Sequence, residues 1–198
     1  MPYVHNGPPD THDDAASLRG TRTWFHAGGH IGPWRVTRIV GVKGETVAHA
    51  DFLTKSHDPL HAGASWSLSG TASSLRYTTA DERAQLIAAN EGADDICRDC
   101  AVLIPIRKSE RWWALAQDER RDIYARSHHM EIGLDYLPAI ARQLFHCRDL
   151  GGDFDFLTWF EFSKVAEPAF SALLERLRAT PEWAFVAHET EIWLAKAD

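Results

Sequence analysis

Two adjacent histidines lie within a stretch whose pattern predicts a helix. The stretch reads Ser-His-His-Met-Glu-Ile-Gly at 127–133. Successive helical residues lie about 100° apart, so His128 and His129 cannot share a face. Gly133 lies one turn beyond His129, and a glycine there costs about 1 kcal/mol relative to alanine and often marks close approach by a large group. The pattern is compatible with an imidazole that ligates the metal of a flat macrocycle lying on the helix. By themselves these residues favour the alternative, a core histidine with a packing glycine.

The three cysteines are weaker candidates for chemistry. Cys97 and Cys100 form a Cys-x-x-Cys motif, but no second motif of this kind follows, and Cys147 is far downstream. An odd number of cysteines without a secretion signal does not indicate a disulfide framework. We therefore interpret them as loop cysteines without a metal or redox role.

Composition narrows the class of protein. The 198 residues are 44% hydrophobic and 25% charged, as in ordinary globular chains. No apolar run approaches the roughly 20 residues that span a bilayer. Residues 1–20 lack the basic start and apolar core of a signal peptide, so we expect a loose polar arm and a cytoplasmic protein. The net charge of −7 disfavours nucleic acid or an anionic membrane as a partner.

Alternation of apolar and polar residues predicts strands in the first half of the chain. They are expected at 34–42, 47–53, 65–70 and 74–78, the second as the hairpin partner of the first, and the apolar run at 101–106 predicts a buried strand. A capping box at 79–82 opens a helix that runs to about residue 90. In the last strand, Pro105 indicates an edge position or a bulge.

The second half repeats this order of elements. A helix is predicted from about Asp118 to Tyr136, with Pro138 as its break. A strand at 154–162 and an amphipathic helix around 170–177 follow, and a strand returns at 183–194. Two strand–helix–strand units predict an α+β fold with antiparallel sheets covered by helices on one face, and ferredoxin-like units fit this pattern. We treat 21–198 as a single domain.

A series of short motifs carries a more specific likeness. In chain order they are Arg-Tyr at 76–77, Lys-x-x-x-Trp-Trp at 108–113, Glu-Arg-Arg at 119–121, His-x-x-x-Gly at 129–133, Arg142 and Phe-Glu at 160–161. Each motif is weak alone, but their joint order is hard to obtain by accident. With them the chain resembles the chlorite dismutase family of haem proteins, most closely its short, dimeric branch, over roughly 32–194.

The resemblance implies a fold, a cofactor and a set of site residues. The fold would be the family's dimeric α/β barrel, built of ferredoxin-like units, with haem b held mainly by 100–198 and a second copy of the chain as partner. His129 would be the axial ligand of the haem iron, and Glu182 the acid that hydrogen-bonds its imidazole. Tyr77 and Lys108 match residues near the haem propionates, and Trp112 matches the tryptophan beside the macrocycle. Arg142, thirteen residues after His129, would be the distal catalytic arginine.

The implied activity is conversion of chlorite to chloride and O₂, through a ferryl intermediate and rebound of hypochlorite. A permanently charged guanidinium suits such a small anionic substrate. One alternative is a related haem enzyme, either peroxidase-like or a coproheme decarboxylase. The latter carries glutamine at the distal position, where Gln143 is the immediate neighbour of Arg142. Another alternative is a haem-binding or sensing module, or a superfamily member without haem.

Overall fold

The computed structural model describes residues 22–72, 81, 84–85, 88 and 97–197. Its first four strands are β1 (Arg22–Gly28), β2 (Trp34–Lys43), β3 (Phe52–Ser56) and β4 (Ala64–Ala72). Then follow β5 (Cys100–Lys108), α1 (Glu110–Ala114), α2 (Gln117–Arg126), α3 (His129–Leu134) and β6 (Ile140–His146). The chain ends with β7 (Phe156–Phe162), α4 (Glu167–Arg178), a 3₁₀ turn (Pro181–Phe185) and β8 (Val186–Lys196). Shorter 3₁₀ turns cover Arg148–Leu150 and Lys164–Ala166.

The eight strands close into a barrel in the order β1-β3-β2-β8-β5-β7-β6-β4. Neighbouring strands run antiparallel throughout. The predicted α+β class with antiparallel pairing is therefore confirmed, whereas the ferredoxin-like description understates the architecture, because the strands form one closed barrel. The predicted hairpin of 34–42 with 47–53 is confirmed only in part, at Trp34–Leu53 and Arg35–Phe52. Strand β2 pairs along its length with β8 and meets β3 only at two positions.

Side chains alternate between the two faces of the barrel wall. Inside, Leu103 of β5, Leu157 of β7 and Ile192 of β8 belong to one buried cluster. Outside, the neighbouring residues of these strands pack with Phe170, Leu173 and other residues of α4 in a second cluster. Since β5 and β7 are buried on both faces, their sequences are almost continuously apolar, as expected for covered strands.

Strand β5 lies between β7 and β8, so the prediction that Pro105 marks a sheet edge is wrong. Pro105 pairs with Leu157 on the β7 side, while the pairing with β8 lapses between Leu103 and Ile106. A proline, which has no N–H to donate, is tolerated in a central strand because the ladder on one side is interrupted there. A register shift follows between Arg107 and Lys108.

The long helix predicted at 118–136 is two helices. The break between them is at His128, which takes a left-handed backbone conformation with φ of 48°. A periodic pattern of apolar residues cannot reveal a break caused by a single residue. The left-handed residue changes the direction of the chain between α2 and α3, so the direction of α3, which begins at His129, differs from that of α2. The histidine pair thus lies at the junction of two helices, with His128 as the N-cap of α3 and His129 as its first residue.

Two strands were not predicted, β1 and β6. The strands predicted at 34–42, 65–70, 101–106, 154–162 and 183–194 correspond to β2, β4, β5, β7 and β8, although Trp183 itself belongs to the preceding 3₁₀ turn. The strand predicted at 47–53 overlaps β3 only at Phe52 and Leu53. The amphipathic helix at 170–177 corresponds to α4. The polar arm at 1–20, the strand at 74–78 and most of the helix at 79–90 lie outside the described residues. In the described part of the chain no helix is long and apolar enough to cross a membrane.

Candidate active site

A pocket opens on the outer face of the barrel, between β5, β7, α4 and the 3₁₀ turn. Its apolar walls are formed by Ile104, Ile106, Phe160, Leu174, Leu177 and Val186. Its polar lining comprises Lys108, His129, Arg142, Thr158, Arg178, Thr180, Glu182, Trp183 and Glu189. The pocket therefore combines apolar walls with several polar and charged groups.

His129 contributes an oriented imidazole. Its Nδ1 lies 2.8 Å from Oε2 of Glu182, and its ring stacks on Tyr124 with centroids 4.9 Å apart. A carboxylate only accepts hydrogen bonds, so Nδ1 donates its proton and the lone pair of Nε2 remains available. Within the described part of the chain Nε2 has no hydrogen-bond partner. This is the arrangement by which proteins orient an imidazole that ligates a metal.

Lys108 lies behind the same acid. Its Nζ is 2.8 Å from Oε1 of Glu182, its side chain is only 6% exposed, and its ammonium lies 4.8 Å from the ring centroid of Trp112. Burial would raise the pKa of the Glu182 carboxyl, but His129 and Lys108 together hold this pKa well below its ordinary value. Glu182 is therefore an ionised carboxylate that bridges an ammonium and an imidazole. The contact found for Lys108 is with this acid, a different environment from the propionate contact that the resemblance implied.

A serine ties these elements together. Ser127 is buried and caps the end of α2 by donating its hydroxyl proton to the Ile123 carbonyl at 2.8 Å. The same hydroxyl accepts the backbone N–H of Glu182 at 3.1 Å. One residue before the histidine pair, it thus fixes the 3₁₀ turn that carries the acid to the helix junction that carries His129. The sequence contains no signal for this role, since the two partners are 55 residues apart.

Strand β6 separates Arg142 from its neighbour. Arg142 lines the pocket and pairs across the sheet with Phe160, which is also a pocket residue. Gln143 pairs with Trp159 of the inner cluster and accepts a hydrogen bond from Lys55 at 2.8 Å. Because successive strand residues face opposite sides, only the arginine faces the pocket. Among the described residues, Arg142 has no hydrogen-bond or ion-pair partner.

The remaining predicted residues are placed differently. Trp112 is 1% exposed and packs on Phe185 with centroids 5.5 Å apart, but it is not one of the residues that line the pocket. Its Nε1–H is buried without an acceptor in the described part of the chain. Tyr77 lies outside the described residues. A Cβ added at Gly133 would meet open space, so the helix surface one turn beyond His129 is uncovered.

These residues fit a haem better than a metal ion held by a cage of side chains. Among the described residues no group of three or more His, Cys, Asp or Glu side chains could hold a metal ion. One oriented imidazole, apolar walls and an unpaired guanidinium are instead the groups that a macrocycle with one protein ligand and one reactive face requires. The fold and pocket thus define an antiparallel barrel protein with a candidate haem site.

Comparison with known proteins specifies the family. A family model described as chlorite dismutase matches residues 48–197. The chain belongs to the chlorite dismutase family. A solved structure titled as a dimeric chlorite dismutase from Nitrobacter winogradskyi is 42% identical, covers 88% of this chain and 99% of its own, and has a TM-score of 0.78. These matches confirm the resemblance drawn from the order of the motifs, including the short, dimeric branch.

More distant structures share the fold. Chlorite dismutases from Candidatus Nitrospira defluvii, a mutant in complex with cyanide and a protein in complex with imidazole, are 16% identical with TM-scores of 0.62. Each match covers 93% of this chain and 94% of the other. No curated protein matches the chain.

Proposed function

We propose that this chain is a haem b chlorite dismutase that converts chlorite to chloride and O₂, and that it works as a homodimer. The observation that carries the proposal is the pocket itself, in which the oriented imidazole of His129 and the unpaired guanidinium of Arg142 share one apolar enclosure. The family match and the 42% identical dimeric relative support both the reaction and the dimer.

On the imidazole side, His129 would bind the iron through Nε2 while Glu182 holds the proton on Nδ1. An ionised carboxylate at this hydrogen bond makes the imidazole a stronger electron donor. Lys108 moderates that effect, because its ammonium shares the charge of the same carboxylate. The haem iron, when bound, supplies the redox chemistry that breaks one Cl–O bond and makes the O–O bond.

On the other side, Arg142 would bind the substrate. Chlorite carries one negative charge. Among the described pocket residues, the Arg142 guanidinium is the one cation that is not paired with a carboxylate. It would draw the anion into the apolar pocket and keep the hypochlorite fragment from escaping until it recombines. A guanidinium stays protonated throughout, so no proton transfer is needed in this role.

Oxygen evolution tests the proposal. Haem-loaded protein is mixed with chlorite at mildly acidic pH in a Clark electrode, and rapid release of one O₂ per chlorite is expected. Arg142→Ala should lower the rate by about 100-fold, the typical effect of removing a group that stabilises a developing anion. Gln143→Ala is the matched control on the opposite face of the same strand and should retain most of the rate.

Other outcomes identify the alternatives. A wild-type protein that binds haem but releases no O₂ would refute the dismutase activity and favour a peroxidase-like enzyme or a haem sensor. The position of Gln143 on the inner face argues against a decarboxylase whose distal residue is glutamine. Absence of a Soret band after haem loading would refute every haem function.

A further inference from the structure

Asp155 is a buried carboxylate to which the proposed reaction assigns no role. It is 5% exposed and lies just before β7, outside the set of residues that line the pocket. Its Oδ2 accepts the backbone N–H of Lys108 at 2.7 Å and the indole N–H of Trp113 at 3.1 Å. Its Oδ1 accepts a hydrogen bond from Nη1 of Arg148 at 3.0 Å. This carboxylate therefore joins three segments of the chain through three hydrogen bonds, and we call it the Asp155 junction.

The position of this junction follows from the strand pairing. The ladder between β5 and β7 ends where Ile106 pairs with Phe156, and the backbone N–H of Asp155 closes it on the Ile106 carbonyl at 2.9 Å. Two residues further along β5, Lys108 has no strand residue opposite it on this side. The Asp155 side chain continues the ladder by accepting the Lys108 N–H. The backbone of Lys108 is therefore held by a side chain on the β7 side, while on the other side it still pairs with Val186 of β8.

The two other donors hold Asp155 itself. Arg148 lies over the Trp113 ring with its guanidinium carbon 3.8 Å from the ring centroid. Both residues also bond to the carboxylate, so the three side chains form a closed triangle. Trp113 belongs to α1, which follows Lys108 directly. The segment that begins at Lys108 is thus held at its first residue and again five residues later.

We propose that Asp155 is a positioning residue for the active site, which sets where the Lys108 ammonium lies relative to Glu182. Through that distance it sets how much of the carboxylate's charge reaches the imidazole of His129. The inference at the iron rests on the proposed haem function, whereas the hold on Lys108 does not. Removing Asp155 releases the Lys108 backbone on its β7 side and weakens the Lys108–Glu182 pair, so His129 faces a more fully charged carboxylate.

The first measurement uses the protein without haem. Hydrogen exchange of the Lys108 amide is compared in wild type, Asp155→Asn and Asp155→Ala. The amide oxygen of Asn can still accept from Lys108 N–H, so this variant should keep the amide protected. Asp155→Ala removes the acceptor and should speed exchange by about tenfold or more. Unchanged exchange in Asp155→Ala would overturn the proposal. If that variant does not fold, Asp155→Ser, whose hydroxyl is too short to replace the carboxylate, takes its place with the same expectation.

The second measurement uses haem-loaded protein and reads the reduction potential. Lys108→Met removes the ammonium that shares the Glu182 charge and should lower the potential, since a stronger donor stabilises ferric iron. Asp155→Ala should lower it in the same direction, Asp155→Asn should leave it near wild type, and adding Asp155→Ala to Lys108→Met should bring no further shift. A potential unchanged in Asp155→Ala, or an additive shift in the double variant, would leave Asp155 with a structural role only. Absence of a Soret band in the wild-type protein would refute the proposed function. The exchange measurement would still test, independently of haem, whether Asp155 holds the Lys108 backbone.

Discussion

The ion pair between Lys108 and Glu182 offers the most direct quantitative test. The side chain of Lys108 is buried and that of Glu182 nearly so, with 6% and 13% exposure. Glu182→Gln keeps the shape of the side chain but removes its charge, so the Lys108 ammonium is left in the interior without a counterion. Breaking a buried pair in this way costs about 3–5 kcal/mol, because the remaining charge has lost its compensation and cannot regain water. The small exposure of both groups means that solvent screening reduces this figure little.

Urea unfolding of the haem-free protein, followed by circular dichroism, measures this cost. With a slope of about 2–3 kcal/mol per M for a chain of this size, the midpoint of Glu182→Gln should fall by roughly 1–2.5 M. Lys108→Met combined with Glu182→Gln should recover much of the loss, because no unpaired charge then remains buried.

A matched control uses the exposed pair between Lys164 and Glu167, whose side chains are 72% and 26% exposed. Glu167→Gln makes the same chemical change there and should leave the urea midpoint almost unchanged, since exposed pairs contribute little. The reasoning would be refuted if Glu182→Gln unfolded at the wild-type midpoint, or if the double variant were less stable than either single one.

Three further predictions concern the histidine pair, the pKa of Glu182 and the reactivity of the cysteines. His129→Ala should abolish the Soret band after haem loading, whereas His128→Ala should retain it, because the His128 side chain is exposed and pairs only with its neighbour on the same helix. The opposite result would place the ligand one residue earlier. Folding lowers the pKa of Glu182 below its ordinary value of 4.5, so its pairing stabilises the protein above about pH 4.5 and is lost as pH falls further. In Glu182→Gln the free energy of unfolding should therefore decline less steeply between about pH 5 and about pH 3 than in wild type. Burial raises the pKa of the Cys147 thiol to about 12, while Cys97 is exposed, so iodoacetamide at about pH 8 should label Cys97 and reach Cys147 only after unfolding. Labelling of Cys147 in the native protein would contradict its burial.

The local sequence pattern was sufficient to predict those helices and strands whose own residues determine their secondary structure. The helix α4 has apolar residues at helical spacing, β5 has a continuous apolar run, and phenylalanines alternate along β7, so period and length alone predict them. The order of short motifs was also readable, because it depends on residue types along the chain. That order led to the family and to His129, Glu182 and Arg142 as candidates.

The pairing register of β6, and therefore the face of the sheet on which each of its residues lies, was decided only by the closed barrel. Alternation along β6 is too weak to predict a strand, since Arg142 and Gln143 are both exposed polar residues next to each other. Their separation onto opposite faces comes from pairing with β7, whose own faces are set by two hydrophobic clusters. The left-handed turn at His128 is likewise a single-residue event, which no periodic pattern can report.

The charge network at the imidazole is the clearest case of what only the tertiary structure decided. Lys108 and Glu182 are 74 residues apart, Glu182 and His129 are 53 apart, and Asp155 reaches Lys108 across 47. The amino-acid sequence determined which side chains could ionise, donate or ligate. Which of them meet depended on the strand pairing and on burial, because an ion pair in the interior forms only where folding brings both partners out of water together.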